Sequence, residues 1–313
     1  MQGWRKRQED AHIVAVSQGD KKDIDIFGVF DGHGGKEISQ FISNHFTEEF
    51  IKNKNFPKSI EIALKETFIF MDELMQTSES IEEIERYARM SKEEDDKQAK
   101  NEPQKSQNYL MCCLCHSGYS EYDVYNDILM RTGCTACVMI IDETNKKLYF
   151  ANAGDSRVVI CRTGNAEVMS EEHKPELDSE KTRIYKADGW IMDGRVKGNL
   201  NLSRGFGDLE YKQNKNLTPE EQMITANPDI KNIGYKDDID FVIIGSDGIW
   251  ECLTNQEACD FVRKRLKDNH DIQISKKIEE MLDSIVAEDL YNGKGVGCDN
   301  MTCVVIMFKK ENK

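Results

Sequence analysis

Ile24-Asp-Ile-Phe-Gly-Val-Phe30 runs straight into Asp31-Gly32-His33-Gly34-Gly35, and the chain is legible outward from that junction. A run of about 4–8 mostly apolar residues that stops at a Gly-rich turn reads as a buried strand. Asp31 therefore stands at a strand's end, where a turn begins. The arrangement returns in Phe241-Val-Ile-Ile-Gly-Ser-Asp247-Gly248-Ile-Trp250. A carboxylate fixed on rigid backbone in this way is well placed to hold a metal ion or a proton. After Gly35 the apolar residues fall at Ile38, Phe41, Ile42, Phe46 and Phe50, which is helical spacing. Ile60, Ala63, Leu64, Phe68 and Met71 repeat it, and Pro57 reads as the opening of that second helix.

Residues 11–17 and 24–30 read as strands joined by a polar turn. Residues 135–142, 147–152 and 157–162 read as a meander, with further strands at 240–245 and 301–308. Helices are expected at 178–187, with Asp178 as the cap, and at 255–267 and 272–287. Strands that bracket pairs of helices, with hairpin-length connections, imply antiparallel sheets covered by helices. Residues 76–130 interrupt this pattern. Residues 78–105 are charged, with Ile81, Ile84 and Met90 as sparse apolar anchors, and read as a solvated helix or a partly disordered insertion. Cys112, Cys113, Cys115 and His116 follow, too lone a cluster for a strong zinc signal.

The chain has 313 residues, 39% of them apolar, enough for a sizeable core in one large domain or two small ones. Its formal net charge of -15 argues against a nucleic-acid binder and against an anionic membrane surface. No stretch approaches the ~20 apolar residues of a membrane span. Ten cysteines in a chain of this length do not suggest a disulfide framework. A reducing compartment, cytoplasmic or nuclear, is the expectation.

Two more carboxylates stand at strand entrances: Asp155 in Asn152-Ala-Gly154-Asp155-Ser-Arg157, and Asp299 before the strand at 301–308. In an antiparallel sheet the end of one strand lies beside the start of the next. Asp31, Asp247, Asp155 and Asp299 can therefore gather at one edge, with Glu9 and Asp10 ahead of the first strand. A single Asp-Gly is a turn signal; four carboxylates at strand termini point to a site. Such a group repels itself, and a divalent cation relieves the repulsion. Oxygen donors without His or Cys favour Mg²⁺, Mn²⁺ or Ca²⁺. Arg5 has the fork that matches a phosphate, and His33 can supply a proton.

These residues sit in blocks that resemble the protein phosphatase 2C family, the metal-dependent protein serine/threonine phosphatases. The blocks are Gly3-Trp4-Arg5-x-x-x-Glu9-Asp10-Ala11-His12, Phe30-Asp31-Gly32-His33-Gly34-Gly35, Gly133-Cys134-Thr135-Ala136, Ala153-Gly154-Asp155-Ser156-Arg157, His173-Lys174-Pro175, Leu202-Ser203-Arg204-Gly205-Phe206-Gly207-Asp208, Ser246-Asp247-Gly248-Ile249-Trp250-Glu251 and Asp299-Asn300-Met301-Thr302. Eight blocks in order are far more specific than any one. The resemblance implies an α+β fold, a four-layer α/β/β/α sandwich of two mainly antiparallel sheets flanked by helices. It implies a single catalytic domain over residues 1–313, with a flap at 173–227 and the insertion at 76–130.

The resemblance also implies a binuclear Mg²⁺ or Mn²⁺ centre. Asp31 would bridge the ions, the Gly32 carbonyl would bind one, and Asp247 and Asp299 would complete the other. Glu9 and Asp10 would ligate directly or orient water. Asp155 would help bind a weaker third ion with Asp247 and Glu251, where the family usually has Asp. A metal-bridging hydroxide would attack phosphorus, Arg5 would hold the phosphate, and His33 would protonate the leaving oxygen. The substrates would be phosphorylated proteins in signalling, and a monomer is expected. Arg183 on the flap would touch substrate or lie at the surface. The family carries a strand before the Gly3-Trp4-Arg5 block, so an open sheet edge is expected here. The competing reading is a catalytically inactive phosphatase-like binding module, whose mark would be a lost ligand or a lost phosphate arginine. Cys259 and Arg265 have the spacing of a thiol phosphatase, but fall in an expected helix with no phosphate-cradling loop.

Overall fold

The computed structural model describes residues 1–20, 23–101, 128–234, 238–268, 273–289 and 295–308. A five-stranded sheet has the order β1-β2-β5-β6-β12, formed by Ala11–Gln18, Ile24–Phe30, Ala136–Asp142, Lys147–Ala153 and Asp229–Gly234. A four-stranded sheet has the order β14-β13-β7-β8, formed by Cys303–Met307, Ile239–Gly245, Arg157–Arg162 and Asn165–Val168. Two-residue strands β3 (Gly32–His33), β4 (Gly133–Cys134) and β11 (Phe206–Gly207) make a small sheet in the order β11-β4-β3. β9 (Ile191–Met192) and β10 (Arg195–Val196) form a hairpin of their own. Every pairing between these strands is antiparallel.

The layers follow from period-two alternation. On β2, Ile26 and Phe30 face α1 (Glu37–Lys52) and α2 (Ile60–Leu74), where Phe41, Phe46, Leu64 and Phe68 close the outer core. Phe27 and Val29 face the other way and meet Val158, Ile160, Val242 and Ile244 between the sheets. On the four-stranded sheet, Val159, Cys161, Phe241 and Ile243 turn outward. They meet Ala258, Cys259 and Val262 of α6 (Asn255–Asp268) and Met281 and Leu282 of α7 (Ile274–Ile285). The result is the expected α/β/β/α order.

Several local expectations shift. Pro57 lies ahead of α2, whose N-cap is Ser59. Asp178 is the first residue of α4 (Asp178–Lys186) and does not cap it. The insertion begins with α3 (Ser78–Asn101), which is more than a solvated helix. Ile84 and Tyr87 are buried, Tyr87 Oη accepts from Asn44 Nδ2 at 2.8 Å, and Ser91 Oγ donates to Glu37 at 3.0 Å. These contacts dock α3 on α1. The Cys112, Cys113, Cys115 and His116 cluster lies outside the described residues. Strand β1 stands at the edge of its sheet with Val14 and Val16 exposed, as expected of an open edge. Among the described residues no helix is long and apolar enough to cross a membrane.

Candidate active site

Strand register brings the carboxylates together. Gly245, the last residue of β13, pairs with Cys303 of β14 on one side and Arg157 of β7 on the other. Asp247 thus leaves the sheet beside Asp299 and Asp155, which precede those strands. Phe30 pairs with Ala11, so Asp31 emerges beside Glu9 and Asp10. The Thr135 amide donates to the Asp31 carbonyl at 2.9 Å, which ties this corner to β5. Asp247 opens a one-turn helix, α5 (Asp247–Trp250).

Both Asp-Gly pairs need their glycine for close approach. A Cβ on Gly32 would stand 2.2 Å from the Glu9 carbonyl oxygen, and one on Gly248 would stand 2.2 Å from that of Asn300. The first contact brings Glu9 against Asp31's turn, and Ser39 Oγ adds a hydrogen bond to the same Glu9 carbonyl. The second brings Asp247's turn against Asp299. An open cleft of about 1210 Å³ runs over this edge, lined by Arg5, Glu9, Asp31, His33, Asp155, Asp247, Glu251 and Asp299 among others.

The electrostatics are those of a group short of positive charge. Burial, then the Asp10, Asp247 and Asp155 carboxylates, hold Asp31 well above the usual carboxylate range. Burial and Asp155 likewise raise Asp247. Burial also raises Glu9, with Arg7 opposing it, and raises Glu251, with Asp299 adding to it. Both oxygens of Asp10 are buried without a well-formed hydrogen bond. The nearby Thr302 and Ser246 hydroxyls only partly offset the burial that raises its carboxyl. Orphaned oxygens and repelling carboxylates are what a hard divalent cation satisfies, so the donor set fits an oxygen-ligated ion such as Mg²⁺, Mn²⁺ or Ca²⁺.

The fit is not a finished ligand shell. Among the described residues no three ligand-type side chains stand gathered on one point. Two cations occupy the gaps. Arg5 Nη2 binds Asp299 Oδ2 at 2.5 Å, and Lys174 Nζ binds Asp155 Oδ2. Burial works against the Lys174 ammonium, but Asp155 outweighs it and raises its pKa. Lys174 appears in the His173-Lys174-Pro175 block, yet its partner cannot be read from sequence. His33 does not cap α1; its Nε2 meets Asp208 Oδ2 at 2.7 Å. Burial disfavours its cation, and Asp208 reverses that, holding His33 above the usual histidine range.

Asn300 is a second residue the motifs contain without explaining. Its amide nitrogen donates to the carbonyls of Gln2 (2.8 Å) and Arg7 (2.9 Å), and its oxygen accepts from the Glu9 amide at 2.8 Å. Asn300 thereby fastens the segment bearing Arg5 and Glu9 to the turn bearing Asp299. Arg183 neither reaches the cleft nor lies free at the surface. It donates to Glu180 at 2.7 Å, to the Ser203 carbonyl at 2.5 Å and to the Gln222 carbonyl at 3.1 Å, tying α4 to the segments that carry Ser203 and Gln222.

Cys259 is buried on α6 against Cys161, and that contact together with burial pushes its thiol far up. A thiol nucleophile requires the opposite shift. Cys259→Ser is therefore expected to leave phosphopeptide turnover unchanged; a folded but inactive variant would restore the thiol reading.

A four-layer sandwich with a carboxylate-lined cleft at one sheet edge is the frame on which the comparisons with known proteins bear. The family model for protein phosphatase 2C matches residues 1–91 and 80–290. The chain is 41% identical over 313 residues to a probable protein phosphatase 2C of Paramecium tetraurelia, spanning 99% of this chain and 91% of that protein. It is 39% identical over 328 residues to one from Arabidopsis thaliana, spanning 100% of this chain and 86% of the relative. In fold it resembles the crystal structure of a phosphatase from Toxoplasma gondii, with a TM-score of 0.66 at 19% identity over 97% of this chain and 89% of the other. The chain belongs to the protein phosphatase 2C family, the metal-dependent protein serine/threonine phosphatases.

Proposed function

We propose that this phosphatase hydrolyses phosphoserine and phosphothreonine in proteins at a binuclear Mg²⁺ or Mn²⁺ centre held by Asp31, the Gly32 carbonyl, Asp247 and Asp299. Glu9 and Asp10 complete or orient the centre, and Asp155 with Glu251 serves a weaker third ion. The observation that carries this reading is the half-buried Asp10, Asp31 and Asp247 group, raised by desolvation and repulsion, with Asp10's oxygens buried and unpartnered. Bound ions would supply an activated water and neutralise charge on the phosphoryl oxygens. Arg5, at the cleft wall and mostly exposed, exchanges Asp299 for the phosphate, which its fork matches. His33 delivers a proton to the departing serine or threonine oxygen. The described cysteines are free thiols, which supports work in a reducing compartment, cytoplasmic or nuclear.

Hydrolysis of a phosphothreonine peptide by the purified chain should require Mn²⁺ or Mg²⁺. Excess chelator should lower it by at least about 10³-fold, since the ions supply several kcal/mol of transition-state stabilisation. Full activity in chelator would overturn the mechanism. No activity at any metal concentration would favour the inactive binding module.

A further inference from the structure

Opposite the carboxylate edge, a residue with no assigned role touches the proposed proton donor. The small sheet runs β11-β4-β3, so the central residue Gly133 pairs with His33 on one side and Gly207 on the other. Asp208 follows Gly207 directly. Its carboxylate crosses the face of Gly133, where a Cβ would lie 2.3 Å from Asp208 Oδ2. It reaches His33 Nε2 at 2.7 Å, with only 4% of the Asp208 side chain exposed.

The loop that aims Asp208 is held hard. Gly207 and Asp208 both have positive φ, 73° and 49°. The Asp208 amide donates to the Thr132 carbonyl at 3.0 Å. Asp72 of α2 accepts from the Gly207 amide at 3.0 Å. Lys212 Nζ binds Asp72 Oδ2 at 2.6 Å and the Gly205 carbonyl at 2.7 Å. This ion pair is buried, and breaking such a pair is costly. A left-handed conformation at a non-glycine residue, locked by a buried pair, is maintained against local preference.

We propose that Asp208 is the positioning residue of His33: it accepts the Nε2 proton, fixes the ring, and leaves Nδ1 to protonate the leaving oxygen. The inference rests on His33 being the proton donor, as proposed above. In the step, the oxygen of a water that has already given one proton to solvent forms the new bond to phosphorus as the ester P–O bond breaks. The bonding pair passes to the ester oxygen, which takes the Nδ1 proton. Histidine is left neutral with hydrogen on Nε2, the tautomer that Asp208 holds. An orienting carboxylate on the far nitrogen of a catalytic histidine is established chemistry.

Leaving-group dependence separates this role from a structural one. The serine or threonine alkoxide needs a proton to depart; p-nitrophenolate does not. Asp208→Asn and Asp208→Gly suit the test because Asn and Gly both tolerate positive φ. With saturating Mn²⁺, each should lower kcat on a phosphothreonine peptide by about 100-fold, the low end for general acid catalysis. The loss on p-nitrophenyl phosphate should stay below about tenfold, with KM for the peptide little changed. His33→Gln should show the same split, and adding Asp208→Asn to it should cost no more, since the two act as one unit. If His33→Gln lowers both substrates equally, the proton-donor reading falls, and this inference with it. If His33→Gln splits them but the Asp208 variants do not, only the role of Asp208 is overturned. Failure of both Asp208 variants to fold would overturn it too, making Asp208 a residue of the fold.

Discussion

Asp247→Asn should lower phosphopeptide turnover by at least about 10³-fold and yet make the metal-free protein more resistant to heat. The catalytic loss follows from removing a ligand of the proposed centre, which costs several kcal/mol of stabilisation at the transition state. The stability gain follows from the present state of the site. Asp247 is buried against Asp155 and Asp31, and burial with repulsion raises its carboxyl. At neutral pH the ionised group works against folding. The introduced amide is isosteric and brings no negative charge into that repelling group. A gain on the order of 1 kcal/mol raises Tm by about 2 °C in a chain of this size. Saturating Mn²⁺ should stabilise the parent, by about 2.7 kcal/mol at a hundred times Kd, and the variant far less. Thermal denaturation with and without Mn²⁺, beside the peptide assay, reads all of this. Surviving turnover, or equal stabilisation of both proteins by Mn²⁺, would remove Asp247 from the centre.

Antiparallel sheets under helices were legible because β2 and β13 advertise themselves; the four-layer order came with the family resemblance. Both are apolar on two faces, and Phe27 and Val29 against Ile26 and Phe30 divide into two cores by parity alone. The convergence of Asp31, Asp155, Asp247 and Asp299 was legible for a related reason, since antiparallel register fixes which strand ends are neighbours. Strand β12 was not, because its residues are mostly exposed or half-buried and Asp-Ile-Lys-Asn-Ile-Gly carries little apolar signal. It is an edge strand, made by pairing with β6 over Asp229 to Gly234. The charged partners were equally hidden. Lys174 on Asp155, and Asp208 on His33, join residues 19 and 175 positions apart through loops without periodicity. Motif blocks mark such residues without saying what they touch. Arg183 illustrates the limit: its helix and charge were readable, but its direction depended on Glu180, Ser203 and Gln222 being packed beneath the flap.

That packing makes Glu180 a side chain on which the fold depends strongly. Glu180 is 1% exposed and receives Arg204 Nη2 at 2.6 Å, Arg183 Nη1 at 2.7 Å and Ser203 Oγ at 2.8 Å. Arg204 also binds Asp229 at 2.7 Å, which faces His173 at 3.2 Å. Glu180→Gln keeps the shape but removes the charge that two inward guanidiniums share, and turns an amide donor toward other donors. Breaking a buried pair from one side costs about 3–5 kcal/mol. The pH dependence has a definite sign. Burial disfavours the Glu180 carboxylate, but Arg204 and Arg183 outweigh it and lower its pKa from 4.5 to about 2. A depressed carboxyl stabilises the fold fully above about pH 4.5 and loses that contribution as pH falls toward 2; the whole is worth about 3 kcal/mol. The gap between parent and Glu180→Gln in urea midpoint should therefore be wide at pH 7 and narrow toward pH 3. A variant as stable as the parent at pH 7, or a gap indifferent to pH, would show that Glu180 does not hold the network. The consequence reaches the cleft, because Ser203 binds the His173 carbonyl and His173 Nδ1 accepts from the Gly154 amide at 3.1 Å. Loosening Glu180 frees the turn that carries Asp155, so the same variant should need more metal for half-maximal activity even where it remains folded.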